Sequence, residues 1–353
     1  MTNKGVRVSA IMPVYNVENF VRRAVQSILE QDYDALELIC VDDGSKDGSG
    51  AILDELARSD ARMRVIHQSN AGAAAARNAA IAVAQGEYLY FCDADDWAEP
   101  DMLRRMVACA DETGAQLVVA GFFIETYADA AHCVVQRIHR PDASLDQAAF
   151  RRRAYDYFDC NLLYPPWNKL YRADYVRGHG IRFRDVRMDD FPFNLDYIRD
   201  VERVAVMDAE FYHFTRARAD SETTRYYPQM FEKREEEHGW LLELFRYWGV
   251  EDDDAREFLA RRYVERLIGC FENVTGRACP MNRRQQRQAI RKMMASPNVA
   301  ESLRLARSRS GMMKLMLLPV RLGCVPWVYV QSRFISFVRR RNVTLFARLK
   351  ASR

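Results

Sequence analysis

Tyr88-Leu89-Tyr90-Phe91-Cys92-Asp93-Ala94-Asp95-Asp96-Trp97 is the stretch on which the fold turns. A short apolar run, preceded by Gly86 and followed by three carboxylates, reads as a buried parallel strand whose end delivers charge to a crevice. Open α/β sheets bind ligands beyond the carboxyl ends of their strands. An Asp-X-Asp placed there offers a divalent cation two hard oxygen ligands and leaves its other positions for the phosphates of a nucleotide. Standing alone, the three acids also fit a solvated loop opening the next helix, with Glu99 as its cap and Pro100 as its first residue. The surrounding chain separates the two readings.

Working back towards the amino terminus, the same unit recurs. Val6 to Met12 is nearly all apolar and ends at Pro13, and Val21, Ala24, Val25, Ile28 and Leu29 then follow at helical spacing with Asn16 available to cap. Leu36 to Val41 forms the next strand, closed by Asp42-Asp43-Gly44-Ser45, and Ile52, Leu53 and Leu56 mark its helix. Arg64 to His67 leads through Asn70-Ala71-Gly72 into an Ala-rich helix, and the strand before Asp93 is the fourth. Strands alternating with helices predict a doubly wound parallel sheet.

Working forward, Gln116 to Thr126 and Val201 to Phe214 read as further strands, while the segment from Thr126 to about Arg153 carries weak signals. Pro165-Pro166-Trp167-Asn168-Lys169 reads as a stiff loop rich in groups that can bind a ligand, and Asp189-Asp190 precede Phe191. From Tyr227 to about Arg309 the pattern is helical and charged. The expected division is therefore a domain over 1–226, a helical region over 227–310 with an acceptor or packing role, and a basic, apolar tail over 311–353.

A chain of 353 residues exceeds what one compact core usually serves. The net charge of +3 is too close to neutral to argue for nucleic acid as a partner, although beyond Glu301 the chain holds many basic residues and no acid. Eight scattered cysteines without a C-x-x-C pair fit a reducing compartment and no structural zinc. No secretory signal is read at the polar amino terminus, which predicts a cytoplasmic protein. In the tail, Pro319 and Pro326 interrupt the apolar clusters, leaving no run of about 20 apolar residues to cross a bilayer. Basic residues beside Trp327, Tyr329 and Phe334 suit a segment lying on the inner face of a membrane, and a final helical pair packed on the protein's own core is the competing expectation.

Six motifs occur in an order that resembles family 2 glycosyltransferases: Ser9 to Asn16, Val41 to Ser45, Ala76-Arg77-Asn78, Gly86-Glu87-Tyr88, Asp93 to Trp97 and Pro100-Asp101-Met102. The likeness is strong to about residue 110 and fair from Trp167 to Phe193. It implies a GT-A type nucleotide-binding sheet flanked by helices, an α/β architecture to which this chain adds a helical C-terminal region. It further implies inverting transfer of a sugar from a uridine diphosphate donor to a glycan or lipid-linked acceptor, in a setting such as bacterial cell-surface polysaccharide synthesis.

Carried over by position, the resemblance implies that Pro13, Val14, Tyr15, Asn16 and Asp42 hold the uracil and ribose. Asp43, Asn70, Gly72, Arg77, Asp93 and Ala94 would line the rest of the donor site, with Arg77 forked onto phosphate or Asp43. Asp93 and Asp95 would bind Mn²⁺ or Mg²⁺, and the ion would stabilise the leaving diphosphate. His213 sits where such folds can supply a third metal ligand, although a lone histidine at a strand end is more often structural. Asp96 would bind donor hydroxyls or shape the loop. Asp190, supported by Asp189, would take the proton of the acceptor hydroxyl. Trp167, Asn168 and Lys169 would meet the acceptor, unless the tryptophan belongs to the core. Two rival readings remain. A sugar-nucleotide pyrophosphorylase would open with a Gly-rich loop where this chain has Pro13-Val14-Tyr15-Asn16, and a membrane-associated scaffold of the same fold would lack the chemistry.

Overall fold

The computed structural model describes residues 5–129, 132–186, 188–216, 226–309 and 311–341. Strands and helices alternate through β1 (Val8–Val14), α1 (Val21–Leu29), β2 (Leu36–Asp42), α2 (Ser49–Ser59), β3 (Met63–His67), α3 (Ala73–Val83) and β4 (Tyr88–Phe91). The next elements are β5 (Trp97–Ala98), α4 (Met102–Thr113), β6 (Leu117–Asp129), β7 (His132–Ile138), β8 (Ala143–Asp146) and α5 (Gln147–Asp159). Then come β9 (Lys169–Arg172), α6 (Ala173–Gly178), α7 (Asp190–Ile198) and β10 (Arg203–Arg216). Among the described residues six helices follow: α8 (Met230–Trp248), α9 (Asp253–Thr275), α10 (Arg283–Met294), α11 (Pro297–Leu305), α12 (Gly311–Arg321) and α13 (Val325–Arg341).

The sheet runs β3-β2-β1-β4-β9-β6-β10-β5, with β7 beside β6 and β8 beside β10. β3, β2, β1 and β4 are parallel, as the alternation predicts. Beyond β4 the sheet departs from a wholly parallel one, because β9 opposes β4 and β6, and β10 opposes β5 and β8. All four residues of β4 are buried, as befits a strand covered on both faces. Gly86 lets the chain enter β4, since a Cβ there would stand 2.6 Å from the Ser9 nitrogen. An aromatic cluster locks β4 to β9, to α7 and to the segment that enters α7: Phe91 meets Tyr171, Phe183 and Phe193 edge-on, and Phe183 stacks on Phe193 at 4.0 Å.

Three local readings are revised. Asn16 does not cap α1, which starts at Val21 after Phe20; it sits at φ 52 and its side chain accepts the Lys46 amide hydrogen instead. The helix after β5 starts at Met102 behind Asp101, not at Pro100. The weakly patterned segment before Arg153 holds two strands and α5, which Asp146 caps by accepting from the Ala149 amide.

The chain divides into two compact units, one of residues 1–125 and 135–215 and one of residues 126–134 and 216–353. The last boundary along the chain falls after Thr215. Within the second unit, α9 supplies Val264, Leu267 and Phe271 to a core shared with Ile290 and Val299. Met316, Leu317 and Val320 of α12 and Val328 and Tyr329 of α13 complete it. The last helices thus pack on their own unit through one face.

Candidate active site

Because β1, β2 and β3 run parallel in register, Val14, Asp42 and His67 lie side by side, and the loops after them share one edge with the loop after β4. Asp42 is buried, and its Oδ1 accepts the Ser45 amide hydrogen at 3.0 Å. Its Oδ2 lies 2.9 Å from His67 Nδ1, whose other ring nitrogen lies 2.9 Å from Asp54. Burial works against ionisation of Asp42, but the bonds from Ser45 and His67 outweigh it and hold the carboxyl below its ordinary value. Asp54 and then Asp42 raise the imidazole correspondingly.

Asp43 turns the other way and clamps the loop after β3. Its carboxylate accepts from the Gln68 side chain at 2.7 Å and from the Ala71 and Gly72 amides at 2.8 Å. Gly44, at φ 72, allows the two loops to close, for a Cβ on it would stand 2.9 Å from the Asn70 nitrogen. Asn70 and Gly72 are exposed on that edge, as is Tyr15 at 44%. Val14 and Ala94 bury their side chains and could face a ligand only through their backbone.

Arg77 joins the site together. Buried to 5% exposure on α3, it does not reach Asp43's clamp but gives Nη2 to Asp93 Oδ1 and Nη1 to Asp189 Oδ2, both at 2.9 Å. The same Nη1 lies 3.0 Å from Asp190 Oδ1, though out of line for a hydrogen bond, so that oxygen is ion-paired without a hydrogen-bond partner. Although burial opposes its charge, Asp190, Asp93 and Asp189 drive the guanidinium's pKa upward. Burial pushes Asp190 up to about 7, with Arg77 pulling it down and Asp189 and Asp93 pushing it further up. Asp189 is raised too, again chiefly by burial.

Neighbouring residues fix this geometry. Asn78 bonds Phe183 twice, donating to its carbonyl at 2.7 Å and accepting its amide hydrogen at 3.0 Å, and so ties α3 to the segment that carries the acidic pair. Arg77 lies over the Phe183 ring at 5.0 Å. Met188, just before the pair, sits at φ 60, uncommon for a long side chain and of a kind that gathers at functional sites.

The acidic loop has its own support. The Asp93 amide donates to Tyr212 Oη at 2.9 Å, and that hydroxyl donates to Asp96 Oδ2 at 3.0 Å. Asp96 Oδ1 accepts the Thr215 amide hydrogen at 2.8 Å. Asp96 is 3% exposed, and burial, reinforced by Asp95 and Asp93, pushes its carboxyl well up. It shapes the loop. Tyr212, missed by the sequence reading, positions Asp93; its one signal was a buried hydroxyl in an apolar strand, which requires a partner.

Two groups of residues are placed differently from expectation. Trp167 is 5% exposed and stacks on Tyr212 at 4.4 Å, with Phe122 against its edge. Asn168 donates to the Ala120 and Leu162 carbonyls, and fully buried Lys169 donates to Leu162, Pro165 and Asn168 oxygens. These three side chains are committed to the interior and cannot meet an acceptor in this arrangement. Burial lowers the Lys169 amine well below its ordinary value, while Asp190 favours its charge. Three acceptors around Nζ match the three hydrogens of an ammonium, so the geometry fits the charged form. His213, read as a third metal ligand, lies with Nδ1 2.7 Å from Glu125 and Nε2 2.9 Å from Glu99, sandwiched between Trp97 and Phe123. Both nitrogens a cation would need are taken, so it is not a metal ligand as placed.

Asp93 and Asp95, partly exposed at the end of β4, remain a hard-oxygen pair suited to Mg²⁺ or Mn²⁺. Among the described residues no group of three or more His, Cys, Asp or Glu could hold a metal. The site thus offers acidic oxygens on one side of Arg77 and a raised carboxyl on the other.

Residues 9–166 match the model of glycosyl transferase family 2. Among curated proteins, the chain is 28% identical over 302 residues to the "Uncharacterized glycosyltransferase EpsJ" of Bacillus subtilis (strain 168), covering 84% of this chain and 86% of that one. It is 39% identical over 113 residues to the succinoglycan biosynthesis protein ExoO of Rhizobium meliloti (strain 1021), covering 32% of each. Among solved structures, S. aureus TarS 1-349 in complex with UDP-GlcNAc superposes with a TM-score of 0.66 at 20% identity, covering 95% of this chain and 92% of that chain. That likeness establishes the shared fold.

Proposed function

Since the chain belongs to glycosyltransferase family 2 and so transfers a sugar, we propose that it takes the sugar from a uridine diphosphate donor and inverts the anomeric carbon. The observation that carries this reading is Arg77, whose one guanidinium reaches both Asp93 and the Asp189-Asp190 pair. The acids suited to the leaving group and the carboxylate suited to the acceptor therefore gather around one cation. The UDP-GlcNAc complex of TarS, which has the same fold, supports the uridine donor. ExoO's role in succinoglycan biosynthesis supports a bacterial surface polysaccharide, with a glycan or lipid-linked acceptor.

In this reading Tyr15 and the Asp42 edge receive the base, and Asn70 and Gly72 border the nucleotide. Asp190, ionised, takes the proton from the acceptor hydroxyl as that oxygen bonds to the anomeric carbon. The bond from that carbon to the diphosphate oxygen breaks on the opposite face, and its electron pair leaves with the nucleotide. Asp93 and Asp95 would hold a divalent cation, which when bound supplies Lewis-acid stabilisation of the leaving diphosphate. Asp96 and Tyr212 keep the acidic loop in place throughout, and Arg77 holds Asp189 beside the base.

A donor screen tests the proposal. Purified protein is incubated with Mn²⁺ or Mg²⁺ and each common nucleotide sugar, and slow release of nucleoside diphosphate is scored without acceptor. Release of UDP from one donor, lost with chelator and in Asp95→Ala, is expected. Release that survives both would sink the metal assignment. Absence of metal-dependent nucleotide binding by calorimetry would favour the scaffold reading.

A further inference from the structure

The last two helices bury one apolar face and expose another. On α12, Leu315 (56%) and Leu318 (40%) point outward with Leu322 (64%) just beyond, while Met316, Leu317 and Val320 lie in the core. On α13, Trp327 (41%), Val330 (60%) and Phe334 (65%) point outward while Val328 and Tyr329 lie in the core. Spacings of three and four residues place each set on one stripe of its helix. The Gln331 side chain donates to the Leu315 carbonyl at 3.1 Å, so the two stripes run beside each other. Single exposed apolar residues need no explanation, but six gathered on the outward stripes of two neighbouring helices mark an interaction surface.

Charge selects the partner. Exposed Lys314, Arg321 and Arg333 interrupt the patch, and after Glu301 the sequence holds no acid to oppose them. No described helix is long and apolar enough to cross a membrane. An apolar stripe with a tryptophan, flanked by cations alone, is the composition of a helix that lies in the headgroup region. We propose that the outward face of α12 and α13 docks on the surface of an anionic bilayer, inserting Leu315, Leu318, Leu322, Trp327, Val330 and Phe334 among the acyl chains while the basic residues meet lipid phosphates. This assignment is independent of the donor and of the chemistry in the crevice.

Flotation of the full chain with vesicles of phosphatidylglycerol and phosphatidylcholine, against phosphatidylcholine alone, tests it. Binding is expected to the anionic vesicles and to fall at least tenfold on the neutral ones. The triple variant Leu315→Gln, Val330→Gln, Phe334→Gln should lose binding at least tenfold with its melting curve retained, because none of the three packs inward. Lys314→Gln, Arg321→Gln, Arg333→Gln should lose it in proportion on anionic vesicles. Binding unchanged in the apolar triple variant would overturn the proposal. So would the absence of vesicle binding, including the case where light scattering shows a dimer that this variant dissolves, which would assign the face to a second copy of the chain.

Discussion

Two carboxylates of the helical unit are matched by donors, whereas those gathered on Arg77 in the sheet unit outnumber their cation. In the helical unit, Glu235 accepts from the Tyr263 and Ser296 hydroxyls and from Asn298, and buried Glu257 takes Arg261 and the Arg307 amide. Each of these carboxylates is matched by donors from neighbouring turns and helices, which fixes their packing. In the sheet unit, one guanidinium stands against Asp93, Asp189 and Asp190, and an oxygen of Asp190 lacks a hydrogen bond. A fold has no stability reason to keep surplus negative charge in a crevice. Matched buried charge reads as structure and surplus buried charge reads as chemistry.

The largest effect should come from removing the proposed base. Asp190→Asn is nearly isosteric, yet it should lower kcat by about 10²–10⁴-fold, the usual contribution of a general base. Nucleotide binding by calorimetry should remain nearly intact. Wild-type turnover in the variant would break the assignment. Since burial raises Asp190 to about 7 and the base must be ionised, kcat/KM should climb as pH rises to that value and level off above it. A profile flat from pH 5.5 to 8.5 would move the base elsewhere.

Arg77→Met probes the imbalance directly. It leaves three carboxylates facing one another with their cation gone, and should cost about 3–5 kcal/mol, as removal of one partner from a buried ion pair does. The sign with pH comes from linkage. Carboxyls whose folded pKa lies above the unfolded value bind protons in the folded state first, so stability falls as pH rises through the folded pKa. The variant should therefore melt higher at acid pH than at alkaline pH relative to wild type, measured by calorimetry. An equal deficit at all pH values would mean that Arg77 acts through packing on Phe183 rather than through charge.

The acid crevice was legible in the sequence because its signals are local: an apolar run that ends in Asp93-Ala94-Asp95-Asp96, and a strand that ends in Asp42-Asp43. The parallel half of the sheet was legible for the same reason. What lay beyond reading was pairing across long separations. Arg77 is 112 residues from Asp189, and its carboxylate partners could not be told apart from Asp43 by spacing. Tyr212 lies 119 residues from the Asp93 amide it receives. Trp167, Asn168 and Lys169 misled because residue type alone cannot say whether a polar group faces a ligand or the carbonyls of its own loop. The same holds for His213, whose two carboxylate neighbours come from β6 and from the loop after β5.

Lys169 tests the opposite pole within the sheet unit, a buried charge whose donors are all matched. Lys169→Met keeps the volume and leaves the Leu162, Pro165 and Asn168 oxygens without their donor, so stability should fall by about 1–3 kcal/mol, the penalty of leaving buried acceptors unpaired. Transfer per folded molecule and the KM for acceptor should hold steady. A rise in acceptor KM with an unchanged melting curve would return this residue to the acceptor site.

Glu235→Gln should give the smallest change and the sharpest contrast with Asp190→Asn, since both exchange a carboxylate for an amide. The amide keeps one acceptor oxygen for the Tyr263 and Ser296 hydroxyls but presents its NH₂ to the Asn298 side chain, donor against donor. One hydrogen bond of net worth about 0.5–1.5 kcal/mol is lost, visible as a small drop in the denaturant midpoint. Sugar transfer should be untouched, because nothing in that network depends on where a proton goes. If transfer fell while the midpoint held, the matched network of the helical unit would itself take part in the reaction, and the distinction between balanced and surplus charge would fail where it is easiest to measure.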